Sequence, residues 1–199
     1  MFRSLRTLRR SWSNNLRAGP LIIIPGVMSD AEAWGTVASL MGTDREVHVI
    51  NRRGRQPSSN LPDDYSFLTE VEDLKAVFEN VAQPAHVFGW SLGGLIAIHA
   101  LATGADALSL ALYEPVMSPF GREQLGALRA ARTWDDFDTM VEIVNRDISG
   151  YSQGHVDALR QNRKSWTRLC LLALLLADEI QALSAFVPTW KSTSQFRRV

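Results

Sequence analysis

Five residues, Gly89-Trp90-Ser91-Leu92-Gly93, do most to limit what this chain can fold into. They join a short apolar run, Ala85-His86-Val87-Phe88, directly to a helical stretch of small and aliphatic residues from Gly94 to Ala100. So short a connection between strand and helix strains the backbone of its middle residue, and glycines on either side remove the Cβ atoms that would crowd it. The turn lifts the Ser91 hydroxyl clear of both elements. It also sets the N–H of Leu92, at the start of the helix, beside any negative charge that forms on a group bonded to Ser91. A serine held between such glycines at a strand-to-helix corner is a nucleophile elbow. The plain alternative is a Gly/Ser turn with no chemical role.

The flanking sequence fits a sheet around that corner. Leu21-Ile22-Ile23-Ile24 is a continuous aliphatic run, the pattern of a strand buried on both faces of a parallel sheet, and Pro25-Gly26 ends it. Ser29 and Glu32 have the spacing of a capping box for a helix through Trp34, Val37, Leu40 and Met41. Strands are expected at 21–25, 46–51, 85–88 and 107–113, the last stopping at Glu114-Pro115. Their alternation with helices predicts an α/β fold: right-handed crossovers, a mostly parallel sheet, helices on both faces. Ligands bind such sheets at the carboxyl ends of the strands. Gly26-Val27-Met28 leaves a central strand at that end, so the Val27 N–H is the candidate second oxyanion donor beside Leu92. An ordinary Pro-Gly turn is the alternative.

The helices carry less chemistry. Ser66 is placed to cap a helix whose Val71, Leu74, Val77, Phe78 and Val81 recur at helical spacing, with Glu70, Glu72, Asp73 and Lys75 on its other faces. Arg52, Arg53 and Arg55 fall in an irregular stretch and are expected to be solvated, with one or two local ion pairs. Later helices are expected over Glu123 to Arg132, Trp134 to Arg146 and His155 to about Leu183. Phe120, Trp134, Phe137, Met140 and Trp166 either line an apolar pocket or pack helix on helix, and Leu169 to Leu176 is expected to be buried.

With 199 residues, 46% of them hydrophobic, and no net charge, the chain can bury a sizeable core and carries no basic surplus for nucleic acid. Its single cysteine, Cys170, excludes an internal disulfide, suits a reducing compartment and reads as core filling. The most apolar run, Leu169 to Ala177, is too short to span a bilayer, so the expectation is a soluble, cytoplasmic protein without membrane partners. No metal-ligand spacing, Walker loop or dinucleotide fingerprint occurs, which implies neither metal nor cofactor. Residues 1–19 hold five arginines and no acid, and read as a solvated basic extension in preference to a targeting segment. The oligomeric state is not set by any of these features.

Several of these pieces, taken in order, resemble the α/β-hydrolase superfamily over approximately Leu21 to Val116, and more loosely to Thr189. They are Pro25-Gly26 after the first strand, Asn51-Arg52-Arg53-Gly54-Arg55 after the second, Glu70-Val71-Glu72-Asp73-Leu74 in a helix, the elbow, and Ala111-Leu112-Tyr113-Glu114-Pro115. Many members have His-Gly in place of Pro25-Gly26 and a glycine in place of Gln56. The resemblance implies a cofactor-free serine hydrolase acting on a small ester, thioester or lactone. It also implies a division into a basic extension (1–19), a hydrolase core (20–117), a helical cap (118–184), and the start of a returning strand with a tail (185–199).

On this fold a serine is activated by a histidine that a carboxylate orients, in the chain order serine, acid, histidine. The sequence has no histidine after His155 and no carboxylate side chain after Glu179, and Trp190 to Val199 lacks a strand pattern, as in a chain truncated at its carboxyl end. His48 and His86 fall in expected strands and His99 in the helix after the elbow, where packing roles are expected. Glu114 and His155 preserve the required order with Ser91 and form the alternative acid and base. The competing functional class is an impaired or inactive fragment of the fold that acts as a binding protein.

Overall fold

The computed structural model describes residues 19–188. The readings for residues 1–18, and for the returning strand and tail from 189 on, lie outside the described residues. The chain forms two compact units, one around residues 19–117 and the other Ser118–Phe186.

The first unit runs β1 (Leu21–Ile24), α1 (Gly35–Met41), β2 (Val47–Val49), α2 (Phe67–Val81), β3 (His86–Trp90), α3 (Leu92–Ala102) and β4 (Ser109–Tyr113). Its sheet has the order β2-β1-β3-β4 with every pair parallel, and Ile23 lies level with Val49 on one side and Phe88 on the other. All four residues of β1 are buried, as the unbroken aliphatic run predicts. Alternation sends Leu21, Ile23, Val47 and Val49 to one face, where Trp34, Ala38 and Phe88 pack on them. On the opposite face Ile24 shares a small cavity with Leu74 of α2 and Ile96 of α3. Helices therefore cover both faces of the sheet.

Two helix starts differ in how far local sequence decides them. Ser66 and Thr69 form a reciprocal capping box at α2, and Val71, Leu74 and Val77 face inward. The box expected at Ser29 and Glu32 does not cap α1, whose N-cap is Trp34 with no side-chain cap. The Asn51 Oδ1 accepts the Ala31 N–H at 2.7 Å, and the Ser29 hydroxyl accepts the Trp34 indole N–H at 3.1 Å. With one of these groups held by a residue twenty positions away, α1 begins only at Gly35, and its Val37, Leu40 and Met41 stay exposed.

His99 is a packed residue, buried in α3 with its ring edge-on to Phe67. Burial, and secondarily the charge of Lys75, push its pKa below the usual histidine range. Unfolded chains then bind a proton that folded ones refuse, so the contribution of His99 to stability is complete above about pH 6.5 and is lost as pH falls below it. The drop in unfolding midpoint between pH 7.5 and pH 5.5 is expected to be smaller in His99→Leu than in the parent chain. Equal drops would refute this.

In the second unit, a short 3-10 turn at Arg122–Gln124 leads into α4 (Leu125–Thr133), α5 (Phe137–Glu142) and a π-helical turn (Ile143–Ile148). The helices α6 (Gln153–Gln161), α7 (Arg163–Ala173) and α8 (Leu176–Ala185) follow. Leu128, Met140, Leu176, Ile180 and Leu183 form its fully buried interior. Asp138 accepts the Trp166 indole N–H at 2.6 Å and pairs with Arg160, whose guanidinium lies 4.6 Å from the Trp166 ring centroid, which ties α5, α6 and α7 together. The ends of the unit meet where the Ser118 hydroxyl donates to the Leu183 carbonyl at 2.8 Å.

The long helix expected from His155 to Leu183 is three helices. Asn162 breaks it by leaving helical geometry and capping α7 through the Ser165 N–H, and Leu174 and Leu175 form a second break. That break leaves Leu171 and Leu174 exposed, so the apolar run is only partly buried. Trp134, expected in a pocket or a helix interface, is 83% exposed. Phe186–Pro188 are irregular. Cys170 is half-buried, and burial raises its thiol pKa, which disfavours the reactive thiolate.

Candidate active site

Ser91 stands between β3 and α3 with φ 53° and ψ −122°, a conformation that L-residues adopt only under constraint. Its backbone is tied on both sides. The Ser91 N–H donates to the Tyr113 carbonyl at 3.0 Å and its carbonyl accepts the Gly94 N–H at 2.9 Å. Met28 and Glu114 share this unusual positive φ, at 48° and 47°. The connections that leave β1, β3 and β4 thus each contain a non-glycine residue with positive φ.

Close packing brings the loop after β1 onto the serine. A Cβ added to Gly26 would lie 2.9 Å from the Ser91 Cβ and 3.3 Å from its Oγ, so only glycine allows this approach. Val27, half-buried, is the next residue along. Leu92 is the first residue of α3, and the first N–H groups of a helix have no partner within it. Gly93 packs against the backbone of Ile24 and Gly94 against Pro115, which holds α3 to the ends of β1 and β4.

Glu114 follows β4 directly and is exposed; its neighbours in sequence, Tyr113 and Val116, both hydrogen-bond the Ser91 backbone. His155 belongs to the second unit, in the first turn of α6, where its ring packs on Tyr151 at a centroid distance of 4.5 Å. In the first unit, His86 opens β3 at the end opposite Ser91 with its Nδ1 2.8 Å from the Ser109 Oγ, His48 lies within β2 beside Glu46, and His99 lies within α3. Among the described residues no group of three or more His, Cys, Asp and Glu side chains could hold a metal ion. No described helix is long and apolar enough to cross a membrane. An open cavity of about 400 Å³ is lined by Leu21, His86 and Ser109, which open their strands, so it sits away from Ser91.

The arginine stretch departs from its expected solvated role. Arg52 and Arg55 are each only 2% exposed, and Glu70, expected on an outer face of α2, is 3% exposed. Arg52 donates from Nε to the Pro25 carbonyl at 3.0 Å, from Nη2 to the Gly26 carbonyl at 2.8 Å, and from Nη1 to Glu70 at 2.7 Å. The Tyr65 hydroxyl donates to the same carboxylate oxygen at 2.7 Å. Arg55 donates to the Ser29 carbonyl at 2.7 Å, and Asn51 holds the Ala31 N–H. Three side chains from the stretch after β2 thereby grip the loop after β1. Only Arg53 behaves as expected, half-exposed and paired with Asp73. Residues 18 to 27 positions apart make these contacts, so helical or strand periodicity carries no trace of them. The usable signal was the combination of three arginines with an acid that falls near the apolar stripe of α2.

The model of the alpha/beta hydrolase family matches residues 21–194. A curated relative, the N-formylmaleamate deformylase of Pseudomonas putida, is 38% identical over 105 residues, a stretch amounting to 51% of this chain and 39% of that enzyme. Among solved structures, an alpha/beta hydrolase from Sphaerobacter thermophilus DSM 20745 aligns with a TM-score of 0.73 at 24% identity, covering 83% of this chain and 67% of that one. The N-formylmaleamic acid deformylase of Pseudomonas putida S16 aligns with a TM-score of 0.53 at 21% identity, covering 89% of this chain and 69% of that one. At such identities the structural likenesses establish a shared fold. The family match begins at β1 and runs through both units, and with the parallel order β2-β1-β3-β4 around the serine corner it makes this chain a member of the alpha/beta hydrolase family.

Proposed function

We propose that the chain carries the nucleophile and oxyanion site of a serine hydrolase that transfers an acyl group from a small ester, thioester or lactone to water. The observation that supports this reading is the close approach of Gly26, the residue before Val27, to the side chain of Ser91, the residue before Leu92. In the reaction, Ser91 Oγ bonds to the acyl carbon and its proton passes to a base or to water. The carbonyl electron pair moves onto oxygen beside the two N–H groups. The pair returns as the bond to the leaving group breaks, and water then releases the acid and restores the hydroxyl. The relative named as a deformylase favours a second substrate class, a formyl group on nitrogen. The single cysteine suits work in a reducing compartment such as the cytoplasm.

None of the three histidines of the first unit stands at the Ser91 end of its element, so this 199-residue chain is expected to turn over slowly. Without a full triad, oxyanion donors and binding still give roughly 10³–10⁴-fold over water. Incubation with p-nitrophenyl acetate is expected to place one acetyl group on Ser91, located by mass spectrometry, and none on that peptide in Ser91→Ala. An unmodified Ser91 would favour the competing reading, a binding protein built on the same fold. Brisk turnover that is lost in a folded His155→Ala variant would assign the base to His155, with Glu114 as the acid to examine next.

A further inference from the structure

We infer that Arg52 is a positioning residue for acyl transfer: its guanidinium aims and polarises the Gly26–Val27 peptide, whose N–H meets the oxyanion. The inference rests on the reading of Ser91 as nucleophile. Its physical basis is the planarity of the peptide bond. The Gly26 carbonyl and the Val27 N–H belong to one rigid trans unit and point in opposite directions, so holding the oxygen sets the direction of the hydrogen. Arg52 Nη2 holds that oxygen at 2.8 Å, while its Nε holds the preceding carbonyl, Pro25, at 3.0 Å. Two bonds from one planar fork fix two successive peptides, which a single ammonium point charge does not reproduce.

The fork is itself held. Glu70 takes Nη1 at 2.7 Å, the Tyr65 hydroxyl fixes Glu70, and both members of the ion pair are almost fully buried. A cation bonded to a carbonyl in such a dry setting draws electron density from the amide and strengthens its N–H as a donor. Gly26 is pressed against the Ser91 side chain, so a small rotation of this peptide moves the donor relative to the reacting carbon. Misplacement by about 1 Å costs on the order of 100-fold in rate.

The test compares acylation of Ser91 by p-nitrophenyl acetate in the parent chain, Arg52→Lys, the double variant Arg52→Met/Glu70→Leu, and Arg53→Lys. The lysine keeps the charge opposite Glu70 but not the fork, and the double variant removes both buried charges together, so a folded form is retained even where Arg52→Lys unfolds. Folded Arg52→Lys, and the double variant, are expected to acylate about 10- to 100-fold more slowly at saturating probe, with half-saturation within about twofold. Arg53→Lys is expected to keep the parent rate. If Arg52 merely balances the charge of Glu70, the lysine variant acylates at the parent rate, and that result overturns the inference, as does an unchanged rate in the double variant. Failure of the parent chain to acylate Ser91 instead overturns the reading of Ser91, and the inference with it.

Discussion

Gly93→Ala is expected to cost about 3 kcal/mol or more, at the upper end of overpacking penalties, and to lower the unfolding midpoint by roughly 6–12 °C. The added Cβ would sit 2.0 Å from the Ile24 carbonyl oxygen and 2.6 Å from its carbon. Backbone cannot swing aside as a long side chain can. Ile24 lies in a fully buried strand hydrogen-bonded on both sides, to β2 through neighbouring residues and to β3 at Gly89, so relief requires α3 to lift off the sheet. Lifting α3 would also carry the Leu92 N–H and Ser91 away from Gly26. Gly126 in α4 is the matched control, because a Cβ there meets nothing within 4 Å. Gly126→Ala is expected to raise stability by about 0.5–1 kcal/mol through the higher helix propensity of alanine. Thermal unfolding of both variants checks the pair, and a Gly93→Ala midpoint within a few degrees of the parent would refute the packing argument.

The same residues show which parts of the molecule the sequence displays. The run Leu21–Ile24 and the glycines about Ser91 were legible because their causes are local or periodic: a strand buried on both faces must be apolar throughout, and a helix pressed on a strand must be glycine at the contact. The capping box at Ser66 was legible for the same reason, since all its partners lie within one turn. Ser29 and Glu32 offered an equally good local box, but Asn51, twenty residues away, claimed the Ala31 N–H. The breaks at Asn162 and at Leu174 and Leu175 use neither glycine nor proline, so the apolar pattern runs through them undisturbed. The largest omission was Arg52 with Glu70. A buried pair and a solvated pair are written with the same residues, and which of them forms is decided by a loop more than twenty positions away.

Glu70→Ala is expected to destabilise the chain by about 3–5 kcal/mol, because it strands the Arg52 charge inside the protein. Arg52 is 2% exposed and would lose its bond to Glu70, while its bonds to the Pro25 and Gly26 carbonyls supply no countercharge. Tyr65 would lose its acceptor as well. Much of this loss reflects the orphaned cation and not the strength of the pair itself, since removing two charges from water costs nearly what their attraction returns. The double variant Arg52→Met/Glu70→Leu should therefore recover at least half of the Glu70→Ala loss. It should not recover all of it, because the buried Pro25 and Gly26 carbonyls lose their donor. Denaturant unfolding of the parent, Arg52→Met, Glu70→Leu and the double variant closes the cycle. Strong non-additivity is expected, with the double variant more stable than Glu70→Leu alone. Additive losses would mean that the two side chains act independently, and that the ion pair is not what keeps Arg52 against the loop beside Ser91.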